Sequence, residues 1–276
     1  METDYEIKIK PVKTNFYLNL KEIWNYRELF YIFAWRDIKV RYKQTVLGIT
    51  WVLFQPLVSM IVFTVFFGNF VKIPSGNLPY PLFVLCGLVF WTFFSTSLSS
   101  ASSSLTSNEN IIKKIYFPKV ILPLSTIVTT SVDFAISIIL LFIVGFYFKF
   151  IPSISILIVI PLGYLISFLT ASGLGLFFSA INVKYRDVRY IIPFFIQTLI
   201  FLTPVIYPTS IVKSSSKFLF VLNPMSAVIE STRGVVSGNS SIDFLSLGIA
   251  TLMSLAIFFF GLAFFNATEK FFADII

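Results

Sequence analysis

Residues Val120–Phe148 read VILPLSTIVTTSVDFAISIILLFIVGFYF, 29 residues in which Asp133 is the one charged side chain. A hydrocarbon layer about 30 Å thick is crossed by about 20 apolar residues in a helix, the conformation that satisfies its own backbone groups without water. The stretch is therefore predicted to span a membrane. Five more read the same way: Leu47–Phe70, Tyr80–Ser100, Ile154–Ile181, Tyr190–Tyr207 and Phe244–Phe265. With a mean hydropathy of +0.87 and 12% charged residues over 276 positions, too little polar sequence remains to cover six such helices in water. The expected fold is an all-α polytopic membrane protein with six transmembrane helices.

The net charge of +8 does not point to nucleic acid, because the basic residues alternate with apolar spans instead of forming a soluble patch. Of the 21 Lys and Arg residues, 16 fall on one side of the six spans, in residues 1–46, at Lys113, Lys114, Lys119, Lys184, Arg186 and Arg189, and at Lys270. The other side holds Lys72, Lys149, Lys213, Lys217 and Arg233. The positive-inside rule then places both termini in the cytoplasm. The first 20 residues mix acids with lysines and lack a continuous apolar run, so no cleaved signal peptide is expected.

Two regions between the spans stand out. From Glu22 to Lys43 the chain is aromatic and charged, with Ile23, Tyr26, Phe30, Phe33 and Ala34 on one side of a helical wheel and Asn25, Glu28, Arg36, Lys39 and Lys43 opposite. This predicts an interfacial amphipathic helix, read either as an anchor or as a gate, with a bend near Trp35 because Asp37 and Arg41 fall on its apolar side. Between spans five and six, Phe218–Leu222 and Met225–Val236 are too short to cross and are divided by Asn223-Pro224, which predicts re-entrant outer helices. The expected organisation is residues 1–46 as a cytoplasmic segment and 47–276 as one transmembrane domain, with no internal repeat.

The inventory of reactive groups is short. Histidine is absent, Cys86 is alone, and no phosphate-cradling G-x-x-x-x-G-K-[ST] or Gly-x-Ser-x-Gly elbow occurs, so neither enzymatic activity nor a resident cofactor or metal is expected. Asp133, with Thr129, Thr130, Ser131 and Ser137 nearby, reads as a packing or dimer contact or as a proton relay. A proton-coupled transporter would lean on it alone. A glycan polymerase or transferase would have only Glu230 and Asp243 as outer acids. On the cytoplasmic side, Asn108–Lys119 (NENIIKKIYFPK) places Ile111, Ile112, Ile115 and Tyr116 at helical spacing, as a helix docking on a partner or as a solvated loop. Tyr80, Phe90, Trp91, Phe94 and Tyr207 are expected in an interfacial aromatic belt.

Four marks in order then resemble one family. They are Arg36-Asp37-Ile38-Lys39-Val40-Arg41-Tyr42-Lys43-Gln44-Thr45-Val46-Leu47-Gly48-Ile49-Thr50-Trp51 leading to Gln55-Pro56, then Asn182-Val183-Lys184-Tyr185-Arg186-Asp187, then Thr203-Pro204-Val205-Ile206-Tyr207-Pro208, and Leu222-Asn223-Pro224-Met225. The chain resembles the type-2 ABC exporter permeases of polysaccharides such as O antigen, capsule or teichoic acid, from about Leu20 to about Lys270. The resemblance implies a homodimer in the cytoplasmic membrane with two copies of a separate subunit that binds ATP and Mg, exporting a lipid-linked glycan. It gives Glu109, Ile112, Lys113, Lys114 and Tyr116 to coupling with that ATPase. Trp24, Arg27, Arg36 and Arg41 become the gate where the lipid diphosphate arrives, and Phe54, Gln55, Trp91, Gln197, Phe201 and Tyr207 channel positions assigned by helix and depth. Export of a small lipid or drug is the alternative inside the family.

Overall fold

The computed structural model describes residues 20–43, 48–185, 187–212, 217–238 and 243–272. Gln44 to Leu47, Arg186 and Lys213, which the sequence reading used, lie outside them, as do the first 19 residues. Among the described residues the helices are α1 Leu20–Asn25, α2 Arg27–Lys43, α3 Ile49–Phe63, α4 Tyr80–Ser107, α5 Glu109–Ile112, α6 Ile121–Tyr147, α7 Ile156–Lys184, α8 Val188–Leu202, α9 Lys217–Leu222, α10 Pro224–Val236 and α11 Phe244–Thr268. Among the described residues, five stretches are long and apolar enough to cross a membrane: Thr50–Phe70, Tyr80–Ser107, Ile121–Tyr147, Ile156–Lys184 and Phe244–Thr268. The protein is thus an all-α, multi-pass membrane protein.

Local chemistry sets the ends of these helices. Pro79 and Pro81 begin α4, where the missing N–H groups cost nothing. Asn223 accepts from the Met225 N–H at 3.0 Å and Asp243 from that of Ser246 at 3.1 Å, capping α10 and α11. The sequence reading of Tyr190–Tyr207 overshoots. The helix stops at Leu202, because Thr203 is extended ahead of Pro204 (φ −114°, ψ 134°), as the proline ring requires. Beyond α3, residues Thr64–Phe70 continue as a π-helix, with the Thr64 hydroxyl donating to the Met60 carbonyl at 2.7 Å.

The centre of the bundle is α4, packed against α3, α6, α7, α8 and α10. That position explains a correction. Tyr80, Phe90, Trp91 and Phe94 are buried in the core instead of forming an interfacial belt. A close crossing joins α7 to α11, where a Cβ on Gly261 would stand 1.9 Å from the Gly173 carbonyl oxygen. Two glycines there let the backbones touch, the usual route to tight packing between helices in lipid. By contrast α3, its π-helical continuation and α8 present Trp51, Phe54, Ile61, Phe66, Tyr190, Phe194 and Phe201 to the outside.

Buried side chains form two clusters. The larger surrounds α4 and reaches α10, with Phe90, Phe93 and Phe134 at its heart. The smaller binds the opposite end, where Phe33 of α2, Ile112 of α5, Phe117, and Phe265 with Phe272 at the end of α11 come together.

Candidate functional site: an amphipathic helix latched over a polar cavity

Helix α2 runs unbroken through Trp35. The interruption lies at Tyr26, between α1 and α2, and the expected bend is absent. Its apolar side does face the bundle, with Phe33 and Ala34 buried and the Thr129 hydroxyl 3.4 Å from the Ala34 carbonyl. The charges on that side need no bend because each has a partner. Asp37 pairs with Arg36 at 2.8 Å, while the Arg41 guanidinium and the Tyr42 hydroxyl both donate to Asp133 on α6. Burial, and then the hydrogen bond to Asp133, hold the Tyr42 phenol above its ordinary pKa, so it stays a donor. Asp133 thus ties the interfacial helix to a span, a packing arrangement. Two odd features of the sequence, an acid in a span and a cation on an apolar face, resolve into one ion pair.

Beside this latch is a cavity of about 830 Å³ between α2, α3, α4 and α6. Arg41, Asp37 and Asp133 form its charged wall, Trp51 and Gln55 its α3 wall, and Thr92, Thr96 and Ser100 a stripe along α4. Spacing of four residues puts the three hydroxyls on one helix face. Phe93 and Phe134 close it toward the core.

The connection after α4 is more compact than its sequence suggested. Helix occupies Glu109–Ile112 alone; Ile112 is buried, whereas Ile115 and Tyr116 are half exposed. Lys113 forms an ion pair with Glu109 at 2.6 Å, and Lys114 is exposed. The segment is fastened to three other parts of the chain. Phe117 packs on Phe33 with centroids 5.7 Å apart, the Tyr116 hydroxyl lies 3.3 Å from a Glu22 carboxylate oxygen, and the Lys119 N–H donates to Glu269 at 2.9 Å. Burial raises the pKa of Tyr116 and of Glu269.

The remaining expected site residues scatter. Trp24 is exposed, and Arg27 lies 5.5 Å over its ring while donating to its carbonyl. Gln55 faces the cavity, while Phe54 is on the outer surface of α3. Gln197 and Phe201 are exposed on α8, and the Tyr207 hydroxyl donates to the Phe201 carbonyl at 2.6 Å. Trp91, 6% exposed against Phe94, is a core residue and lines no exposed path, because α4 is covered on nearly every side.

Sequence reasoning also passed over Arg233, counted simply as an outer charge. It is 4% exposed, donates to the Phe83 carbonyl at 3.1 Å and the Val205 carbonyl at 2.6 Å, and lies 3.5 Å over the Phe83 ring. Glu230 stands 3.4 Å away and accepts from the Thr209 N–H at 3.1 Å. One guanidinium therefore clamps α10 to α4 and to the chain leaving α8. Its signal was a cation amid the apolar face of a short helix.

The chain is similar in sequence to known proteins over most of its length. The family described as ABC-2 type transporter matches residues 28–237. The O-antigen export system permease protein RfbA of Myxococcus xanthus is 27% identical over 260 residues, covering 93% of this chain and 98% of that one. A protein of the same name from Klebsiella pneumoniae is 28% identical over 250 residues, covering 90% and 95%. The polysialic acid transport protein KpsM of Escherichia coli is 23% identical over 243 residues, covering 85% and 91%.

Proposed function

The chain belongs to the ABC-2 type transporter family, and on that premise we propose that it is the permease subunit of an ATP-driven exporter of a lipid-linked polysaccharide, O antigen foremost. The relatives named for O-antigen and polysialic acid export, aligned over most of both chains, support the substrate class. In this reading α8 completes a sixth span, both termini face the cytoplasm, and the protein sits in the cytoplasmic membrane. A second copy covers the apolar faces of α3 and α8, and two copies of a separate subunit supply ATP and Mg.

The observation that carries the mechanism is the fastening of the connection after α4. A push by the ATPase on Ile112, Lys113, Lys114 and Tyr116 passes through Phe117–Phe33 and Tyr116–Glu22 to the gate helix. The gate helix in turn holds α6 through Asp133. The lipid diphosphate meets the exposed Arg27 beside Trp24 first. Arg36 and Arg41 reach it by exchanging their carboxylate partners. The glycan then passes between copies along Phe54, Gln55, Gln197, Phe201 and Tyr207. A proton relay is disfavoured because Asp133 already has a cation and a phenol as partners.

The test is cysteine cross-linking from position 113 or 115 to the co-expressed ATP-binding subunit. A specific cross-link whose yield changes with ATP is the expected result. No cross-link from either position, with the ATPase still bound elsewhere, refutes the coupling role.

A further inference from the structure

The cavity beside the latch contains polar groups that the fold itself leaves unsatisfied. Thr126, Thr129, Thr130 and Ser137 on its α6 wall donate to carbonyls of their own helix at 2.8 Å, 3.0 Å, 2.8 Å and 2.9 Å. The hydroxyls of Thr92, Thr96 and Ser100 on α4 and the amide of Gln55 across from them have no hydrogen-bond partner among the described residues. A polar group at membrane depth that faces lipid goes unpaired at a cost, so a wall of four such groups calls for water or a polar occupant.

Charge and shape narrow the occupant. The lining carboxylates Asp37 and Asp133 are each paired with an arginine, Arg36 and Arg41, so the wall carries no net positive charge to draw an anionic phosphate into the cavity. Carboxylates and hydroxyls suit a ligand rich in neutral hydroxyl groups. Trp51, half exposed at the rim and lying 5.7 Å from Phe54, offers the flat apolar surface that takes the C–H face of a sugar ring. The volume, about 830 Å³, falls in the range of small-molecule sites.

We propose that each subunit holds a neutral-sugar subsite in this cavity, with the hydroxyls of Thr92, Thr96 and Ser100 and the Gln55 amide bonding the membrane-proximal sugar of the lipid-linked glycan while its ring rests on Trp51. The proposal rests on the exporter reading and adds that the sugar and the diphosphate are held apart, the diphosphate by the arginines of α2. Release of Arg41 from Asp133 would open the same cavity toward the gate helix.

The test is binding by the full chain with its ATP-binding subunit in nanodiscs, using two probes: polyprenyl diphosphate carrying one N-acetylglucosamine, and bare polyprenyl diphosphate. Wild type is expected to prefer the sugar-bearing probe. Thr92→Val/Thr96→Val/Ser100→Ala is expected to weaken that probe about tenfold, the scale of two or three lost hydrogen bonds, and to leave the bare probe unchanged. Thr92→Ser/Thr96→Ser keeps the hydroxyls and is expected to bind both probes as wild type, which separates the site from a folding defect. Equal loss for both probes, or no loss for either, overturns the subsite. Displacement of the sugar-bearing probe by phosphatidylglycerol enrichment would assign the cavity to a bulk-lipid glycerol headgroup and overturn it too. A wild-type complex that couples ATP hydrolysis yet fails to distinguish the probes refutes the subsite alone. A chain that binds neither probe and recruits no ATPase refutes the exporter reading as well.

Discussion

Removing Asp133 tests how helix α2 is held on α6. Its carboxylate accepts from both Arg41 and Tyr42, and the paired side chains of Arg41 and Asp133 are 32% and 21% exposed. A hydrogen bond to a charged group contributes roughly 1.5–3 kcal/mol, and a charge stranded by loss of its partner costs more. Partial exposure screens the pair, so Asp133→Ala is expected to destabilise by about 3 kcal/mol and Arg41→Ala by about 2, since Tyr42 still serves Asp133 in the second case. The coupling energy of the cycle is expected near 2 kcal/mol, and Arg41→Met/Asp133→Leu should recover most of the loss because neither charge is stranded. Denaturant unfolding of the detergent-purified chain measures the cycle, and a cysteine cross-link between α2 and α6 reports docking directly. Additive single losses, with coupling below about 0.5 kcal/mol, would refute the latch.

Four further outcomes follow from the packing. Gly261→Ala places a Cβ 1.9 Å from the Gly173 carbonyl where ordinary contact begins near 3.4 Å, so α7 and α11 must part; thermal unfolding should show a loss of at least about 3 kcal/mol. Arg233→Met strands the Phe83 and Val205 carbonyls and is expected to cost about 3 kcal/mol by the same assay, with Arg233→Lys recovering part. Phe117→Ala removes the contact with Phe33 and is expected to leave ATP hydrolysis in place while export falls, read as ATP consumed per glycan moved. Cys86, fully buried, should resist a membrane-permeant maleimide in the native protein and react fully in detergent-denatured protein.

The spans were legible because a bilayer leaves few choices: long apolar runs must be helices, and prolines and caps mark their ends. The short helices α9 and α10 were equally visible, since Asn223-Pro224 both stops one and caps the other. The bend expected at Trp35 failed because a helical wheel treats Asp37 and Arg41 as errors on an apolar face, while the structure answers them with Arg36 and Asp133. The aromatic belt failed for the opposite reason. An aromatic near a span end looks the same whether its helix is peripheral or, like α4, central. The stripe of Thr92, Thr96 and Ser100 was readable as spacing, but that it faces a cavity depends on how α3 stands off from α4 and α6. Arg41 and Asp133 were each visible as a charge out of place, but that the two meet is set by tertiary packing and is not written in either local stretch.

The most direct test of the exporter reading is reconstitution of the chain with its ATP-binding subunit in proteoliposomes, measuring movement of a lipid-linked oligosaccharide between leaflets with and without ATP. The account predicts a two-plus-two complex that moves the oligosaccharide only with ATP, and whose movement, but not ATP hydrolysis, is lost in Lys113→Ala/Tyr116→Ala. A chain that purifies alone and moves a solute down a proton gradient, with Asp133→Asn abolishing the movement, would contradict it.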